Sequence, residues 1–259
     1  MNGEVGKSGD SVVDELLAQV AGSGSARRVT DVRVGLAYTV VRLDDGSCGI
    51  AMTFREEMVE GYAAIEEAGR LAGLPALDLA EWARELKAAP AALGVATINA
   101  LLEPPSASTE GDVRELIRIG PDDVVGMVGR FGPLVDRIRS RAASLHIFER
   151  RMEGKDDVHP DWAAPVLLPR CDVVIVSATT VINRTLEPLL VRAEGAREVV
   201  VMGPSAPLAP DVFRKRGVSL LAGVQILDAD RVLRIVSEGG GTRQFGPAVR
   251  KLSVRIEAR

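Results

Sequence analysis

The sequence predicts an α/β protein, with a small N-terminal α+β lobe followed by a larger domain built on a parallel sheet. Three observations predict it. Residues 29–43 and 48–54 are β-rich runs flanking an Asp-Gly turn, and residues 56–102 carry Ala, Leu and Glu at helical spacing. After a proline-rich connector, five short apolar segments alternate with helical stretches. Continuous apolar strands of that length, spaced by helices, imply a parallel sheet covered on both faces.

Composition narrows the function classes. The chain has 259 residues, 46% hydrophobic and 26% charged, long enough to bury about 70–75% of its unfolded surface without disulfide or metal staples. A net charge of −4, with basic residues scattered rather than striped, gives no footprint for a polyanion. The longest apolar runs, such as residues 166–168 and 173–176, fall far short of the roughly 20 residues a spanning helix needs, and the acidic, Gly-rich start is no signal peptide. Cys48 and Cys171 lie in different halves and form no CxxC pair. A reducing, cytoplasmic setting is expected.

In chain order, residues 1–9 are small and polar and are expected to fray. An amphipathic helix follows, with Val12, Val13, Leu16, Leu17 and Val20 on its apolar face, then a loop over residues 21–28. Asp44-Asp45-Gly46-Ser47 joins the two β-rich runs as an antiparallel hairpin, because Gly tolerates positive φ. Helices are predicted over 56–71, 77–87 and 91–102, punctuated by Gly73, Pro75 and Pro90. The stiff connector Glu103-Pro104-Pro105-Ser106-Ala107-Ser108 divides a domain at 10–105 from one at 106–259. Strands are predicted at 123–128, 145–148, 173–176, 198–202 and 218–222. Such a domain binds ligands beyond the carboxyl ends of its strands, where the winding reverses.

The first of those strands runs into Gly129-Arg130-Phe131-Gly132-Pro133. The glycines permit a tight turn, and Pro133 suits the first turn of a helix whose free N–H groups attract anions. This is not GxGxxG: Phe131 stands where the middle glycine would let a pyrophosphate touch the backbone, so a mononucleoside or carboxylate fits better than NAD. Glu149 follows Gly129 by twenty residues, the spacing at which Rossmann-type domains hold ribose hydroxyls with a carboxylate. A solvated Glu beside Arg150 is the plainer alternative. Ser177-Ala178-Thr179-Thr180-Val181-Ile182-Asn183-Arg184-Thr185 gathers hydroxyls and an amide after the third strand. Helix capping explains part of that cluster, and the remainder suits a zwitterion or carboxylate.

Gly203-Pro204-Ser205-Ala206-Pro207 either closes the same cleft or is a structural turn, and Gly239-Gly240-Gly241 is either a flap or a close backbone approach. Candidate cofactor-binding residues are therefore Gly129, Arg130, Phe131, Gly132, Glu149, Arg150, Ser177, Thr179, Thr180, Gly203 and Ser205. Thr179, Asn183 and Tyr38 are candidates for the chemistry, with Asp161 and Glu56 as further candidate bases.

Absences limit the chemistry as well. Gly6-Lys7-Ser8 echoes a phosphate-binding loop, but Met1 stands at its first glycine and no strand precedes it. His146 and His159 have no Cys, His or carboxylate at ligand spacing, so no metal site built from this chain alone is expected. No GxSxG, HExxH or Cys–His signature occurs, which disfavours hydrolases and proteases.

Residues 122–130, 168–187 (LPRCDVVIVSATTVINRTLE), 203–208 (GPSAPL) and 238–241 (EGGG), with 93–102 (LGVATINALL) in the first lobe, resemble the hallmark segments of a family of unknown function described as "putative heavy-metal chelation" proteins. The resemblance covers nearly the whole chain from about Asp10. It implies an N-terminal domain similar to the N-terminal part of enolase, followed by a Rossmann-like domain.

Two functional readings follow. In the first, an enzyme binds an adenosyl cofactor, S-adenosylmethionine ahead of NAD, in the interdomain cleft. As a transferase or lyase it passes on a group, or cyclises or eliminates the aminobutyrate chain with release of methylthioadenosine. The sulfonium is already a good leaving group, so positioning and desolvation would suffice for transfer. In the second, the protein handles a heavy metal or metal chelate without catalysis. A scaffold with no ligand is disfavoured, because the polar residues gather at strand ends. The expected partners are a small molecule and a second copy in a homodimer, with no nucleic acid and no membrane.

Overall fold

The computed structural model describes residues 11–22, 26–57, 65–150 and 158–257. The expected fraying of residues 1–9, the centre of the 21–28 loop and the middle of the 56–71 helix lie outside the described residues. The first helix, α1 (Val12–Gly22), buries the five apolar residues its periodicity singled out. The run at 29–43 is two strands rather than one, β1 (Val29–Val34) and β2 (Tyr38–Leu43). The chain turns between them because Gly35 has no side chain: a β-carbon there would lie 2.3 Å from the Val236 carbonyl. The Asp-Gly turn then joins β2 to β3 (Cys48–Met52), antiparallel as expected, with Gly46 at φ 86°.

Where the 56–71 helix was expected, the described ends form a 3-10 turn (Arg55–Glu57) and irregular turns over 66–69. The next helix, α2 (Ala76–Ala80), tightens into a 3-10 turn over Glu81–Arg84 instead of continuing to residue 87. The third, α3 (Ala88–Leu101), starts earlier than predicted, since Pro90 falls within its first turn, where a missing N–H breaks no bond. Apolar on every side, α3 is buried on every side. Contact with its neighbours is backbone to backbone: a β-carbon on Gly49 would lie 2.1 Å from the Ala96 carbonyl oxygen, and one on Gly94 would lie 1.9 Å from the Ala83 nitrogen.

Beyond the connector come β4 (Thr109–Glu110), α4 (Val113–Leu116), β5 (Val124–Val128), α5 (Gly132–Arg139), β6 (Ser144–Glu149), β7 (Val158–Pro160) and α6 (Ala164–Leu167). They are followed by β8 (Val173–Ser177), α7 (Thr179–Ile182), α8 (Leu186–Arg192), β9 (Glu198–Met202), α9 (Pro210–Arg214), β10 (Leu220–Ile226), α10 (Ala229–Ser237), α11 (Thr242–Phe245) and β11 (Val249–Arg255). The eight strands lie in the order β4-β11-β10-β9-β8-β5-β6-β7. The six from β10 to β7 are mutually parallel, the five predicted strands together with β7. The sheet is not wholly parallel, however, because β11 and β4 add an antiparallel edge.

Three strands escaped the pattern for separate reasons. In β11 the exposed pair Arg250 and Lys251 interrupts the apolar run, while β4 and β7 have only two and three residues. Pro160 is tolerated in β7 because that strand is an edge. Alternate residues of β8 face opposite sides: Val174 and Val176 join one core cluster, and Val173 and Ile175 another. The first cluster continues from α1 and α3 into α7, α8 and α9. A third joins Val40 and Ile50 of the small sheet to Val232 and Val236 of α10 and to Phe245. The two sheets thus share core instead of meeting across solvent. No helix among the described residues is long and apolar enough to cross a membrane.

Replacing Gly94 by Ala should force α3 from the Glu81–Arg84 turn and destabilise the protein by at least ~2 kcal/mol in urea unfolding. Gly195→Ala, where a β-carbon meets nothing within 4 Å, should stay within about 0.5 kcal/mol of the parent.

Candidate functional site

Strand order places the site. β6 and β7 lie on one side of β5, and the chain then returns to the other side for β8, so the winding reverses between β5 and β8. Loops leaving the carboxyl ends of those two strands flank a crevice in a sheet of this type. Here they touch: a β-carbon on Gly129 would lie 2.9 Å from Ser177 Cβ, and Gly129 has φ 83°. Glycine at this position satisfies both the left-handed turn and the close approach. The loop after β9 adjoins the same place, since a β-carbon on Gly203 would lie 4.0 Å from both the Ala178 nitrogen and Phe131 Cε1. The Phe131 ring therefore spans from the β5 loop to the β9 loop.

Glu149, at the end of β6, folds back onto this turn. Its Oε1 accepts from the Arg130 N–H, and the Gly129 N–H donates to the Phe148 carbonyl at 2.9 Å. Its other carboxylate oxygen has no partner among the described residues. The carboxylate is thus held beside the glycine turn by a backbone bond, and its ion-pairing with Arg150, the plainer alternative, is absent from the described contacts. Gly132 and Pro133 open α5 as expected. From β8, Ser177 Oγ and Thr179 Oγ1 bond each other at 2.9 Å, and both residues are half-buried. The structure therefore brings Gly129, Arg130, Phe131, Gly132, Glu149, Ser177, Thr179 and Gly203 together.

Five expected site residues are committed elsewhere. Thr180 is 4% exposed, and its hydroxyl donates back to the Ser177 carbonyl at 2.6 Å. Asn183 ends α7, with Oδ1 accepting from Thr185 N (3.2 Å) and Thr185 Oγ1 (2.7 Å), which closes a local turn. Ser205 is 1% exposed and ties the lobes: its Oγ accepts from Met52 N at 2.9 Å, and its carbonyl accepts from Asn99 Nδ2 at 3.2 Å. Arg150 turns to the first lobe, donating to Glu57 Oε1 and lying 5.7 Å from the Phe54 ring centroid, with Asp161 3.9 Å away. That contact engages Asp161 as well.

Tyr38 packs in the third core cluster, its ring 5.6 Å from that of Phe245. Burial pushes its hydroxyl up to about 12, only partly offset by a hydrogen bond with Thr242. It is neutral at physiological pH and unsuited to act as a base. Glu56 is exposed in the Arg55–Glu57 turn.

Asn99, Phe54 and Glu57 are contacts that sequence reading missed. Asn99 carried a readable signal, an amide side chain in a helix whose other residues, Thr97 apart, are apolar. Its Nδ2 also donates to the Ile50 carbonyl at 2.9 Å. No group of three or more His, Cys, Asp or Glu side chains among the described residues is placed to hold an ion. Burial raises the Cys48 and Cys171 thiols to about 12 and about 11, keeping both protonated.

Residues 112–255 match a family model (DUF364) described as "Putative heavy-metal chelation", and residues 14–102 match a second (DUF4213) with the same description. An uncharacterized protein of Methanocaldococcus jannaschii is 28% identical over 239 residues, spanning 89% of this chain and 91% of that protein. A DUF364-family protein of unknown function from Pyrococcus horikoshii superposes with a TM-score of 0.83 at 26% identity, over 95% of this chain and 100% of its own. A second solved structure of unknown function, from Desulfitobacterium hafniense DCB-2, gives 0.77 at 23% identity, over 94% and 98%, and shares the fold.

Ser205→Ala should leave the Met52 N–H unpaired inside the protein and cost about 1–3 kcal/mol in urea unfolding. In a Tyr62→Phe background, the phenolate absorbance of Tyr38 should appear only near pH 12, whereas a midpoint near the ordinary tyrosine value of about 10 would show the ring to be solvent-facing.

Proposed function

This chain belongs to the family described as "Putative heavy-metal chelation", and within that family we propose that it binds an adenosyl compound of the S-adenosylmethionine class at the β5/β8 switch point. The observation that carries this reading is the position of Glu149. One carboxylate oxygen is fixed by the Arg130 N–H, which leaves the other to accept from a ribose diol. Phe131, spanning towards Gly203, offers a ring face to a heterocycle. Ser177 and Thr179 supply neutral hydroxyls for the aminobutyrate end, and these bind a carboxylate without adding a second buried charge.

Group transfer fits this arrangement better than elimination. Elimination from the aminobutyrate chain needs a base, and Tyr38 is neutral and packed in the third core cluster, Asp161 lies against Arg150, and Glu56 sits exposed in the Arg55–Glu57 turn. Transfer from a sulfonium requires positioning and exclusion of water.

A second reading, a metal or metal chelate held without catalysis, is favoured by the family description. With no cluster of three protein ligands among the described residues, the metal would arrive with donors of its own.

Calorimetry separates the two. The first reading expects one S-adenosylmethionine per chain, with affinity reduced about tenfold or more by Glu149→Ala, the loss of a hydrogen bond to a charged group. Divalent-metal binding insensitive to Glu149→Ala, with no nucleoside bound, would establish the second reading instead.

A further inference from the structure

The two histidines of the chain sit 13 positions apart and meet across the β6–β7 edge of the large sheet. Phe148 pairs with His159 in the parallel register, and His146 precedes Phe148 by two residues, so all three side chains share one face. His146 Nδ1 lies 3.0 Å from His159 Nε2, with ring centroids 5.1 Å apart at 51°. The Phe148 ring backs His159 at 5.8 Å. Both histidines are half-buried and still reach solvent. Burial and the facing ring of His159 hold His146 below the ordinary imidazole value.

From this geometry we infer that His146 Nδ1 and His159 Nε2 form a two-imidazole site for a borderline divalent transition metal of the Zn²⁺ or Ni²⁺ class. Two nitrogens bound to tetrahedral Zn²⁺ at 2.0–2.1 Å stand roughly 3.3–3.4 Å apart, so the pair has to open by about 0.3–0.4 Å and both rings have to turn until their lone pairs converge on the ion instead of along the hydrogen bond. The hydrogen bond between the rings carries one proton. Coordination moves that proton to the other nitrogen of its own ring through solvent, frees both lone pairs and leaves the net charge of the pair unchanged. Imidazole selects this class of metal over Mg²⁺ or Ca²⁺. The thiols do not compete, because burial keeps both protonated. Since the described residues supply no third ligand, the remaining positions stay open to water or to a chelator, making this a place for loading and release. The site lies along β6 from the adenosyl crevice and does not depend on it.

Titration of the full-length chain with Zn²⁺ alone, followed by calorimetry in a non-chelating buffer, tests this. One Zn²⁺ per chain is expected, with affinity falling at least tenfold in His146→Asn and again, separately, in His159→Asn. No binding by the parent chain, or parent-like binding by both variants, overturns the site. Should either variant fail to fold, long-range proton–nitrogen spectra of the parent decide. Zn²⁺ must shift the resonances of His146 Nδ1 and His159 Nε2, and resonances unmoved at saturation overturn the proposal.

Discussion

At the β5/β8 reversal, two loops far apart in sequence approach so closely that a methyl group between Gly129 and Ser177 would have no room. That steric constraint organises everything around it. It requires a left-handed glycine at the end of β5, sets the start of α5, and turns the Arg130 N–H towards the end of β6, where Glu149 accepts it. Phe131 is then placed towards the β9 loop. A carboxylate, an aromatic ring and a pair of hydroxyls are held by backbone geometry, which fixes them more firmly than long side chains alone could.

The small N-terminal sheet contributes rigidity. Ser205, Met52 and Asn99 link the β9 loop to β3 and α3 through buried hydrogen bonds, while α1 is pinned to the segment after α9 by Glu15 bonding both Lys215 and Arg216. On the opposite edge, the buried carboxylate of Glu198 meets Arg255 at 2.9 Å and joins β9 to β11. A buried carboxylate requires such a partner, and removing it would leave an uncompensated charge. The loops at the β5/β8 switch point are therefore tied into a frame that joins both sheets.

Much of this was legible in the sequence because it depends on local pattern. The buried face of α1, the Asp-Gly hairpin, the five parallel strands and Pro133 at the start of α5 follow from spacing and backbone preference. The clustering of the glycine turn with Glu149 follows from the spacing of strand ends. What could not be read depends on partners distant in the chain. Gly35 splits a β run because Val236 lies against it; Ser205 is claimed by Met52; Arg150 is drawn to Glu57 and Phe54. The two histidines have no metal-ligand spacing in sequence, and only the register of β7 on β6 makes them neighbours. Asn183 is the exception, a local miss: an Asn two residues before Thr185 was readable as a turn former.

A crystal structure of the chain grown with S-adenosylmethionine tests the central claim most directly. The ribose hydroxyls should lie within hydrogen-bonding distance of Glu149, the adenine against Phe131 and the aminobutyrate end by Ser177 and Thr179. A crevice without density at saturating ligand, or the nucleoside seated away from Glu149, would contradict it.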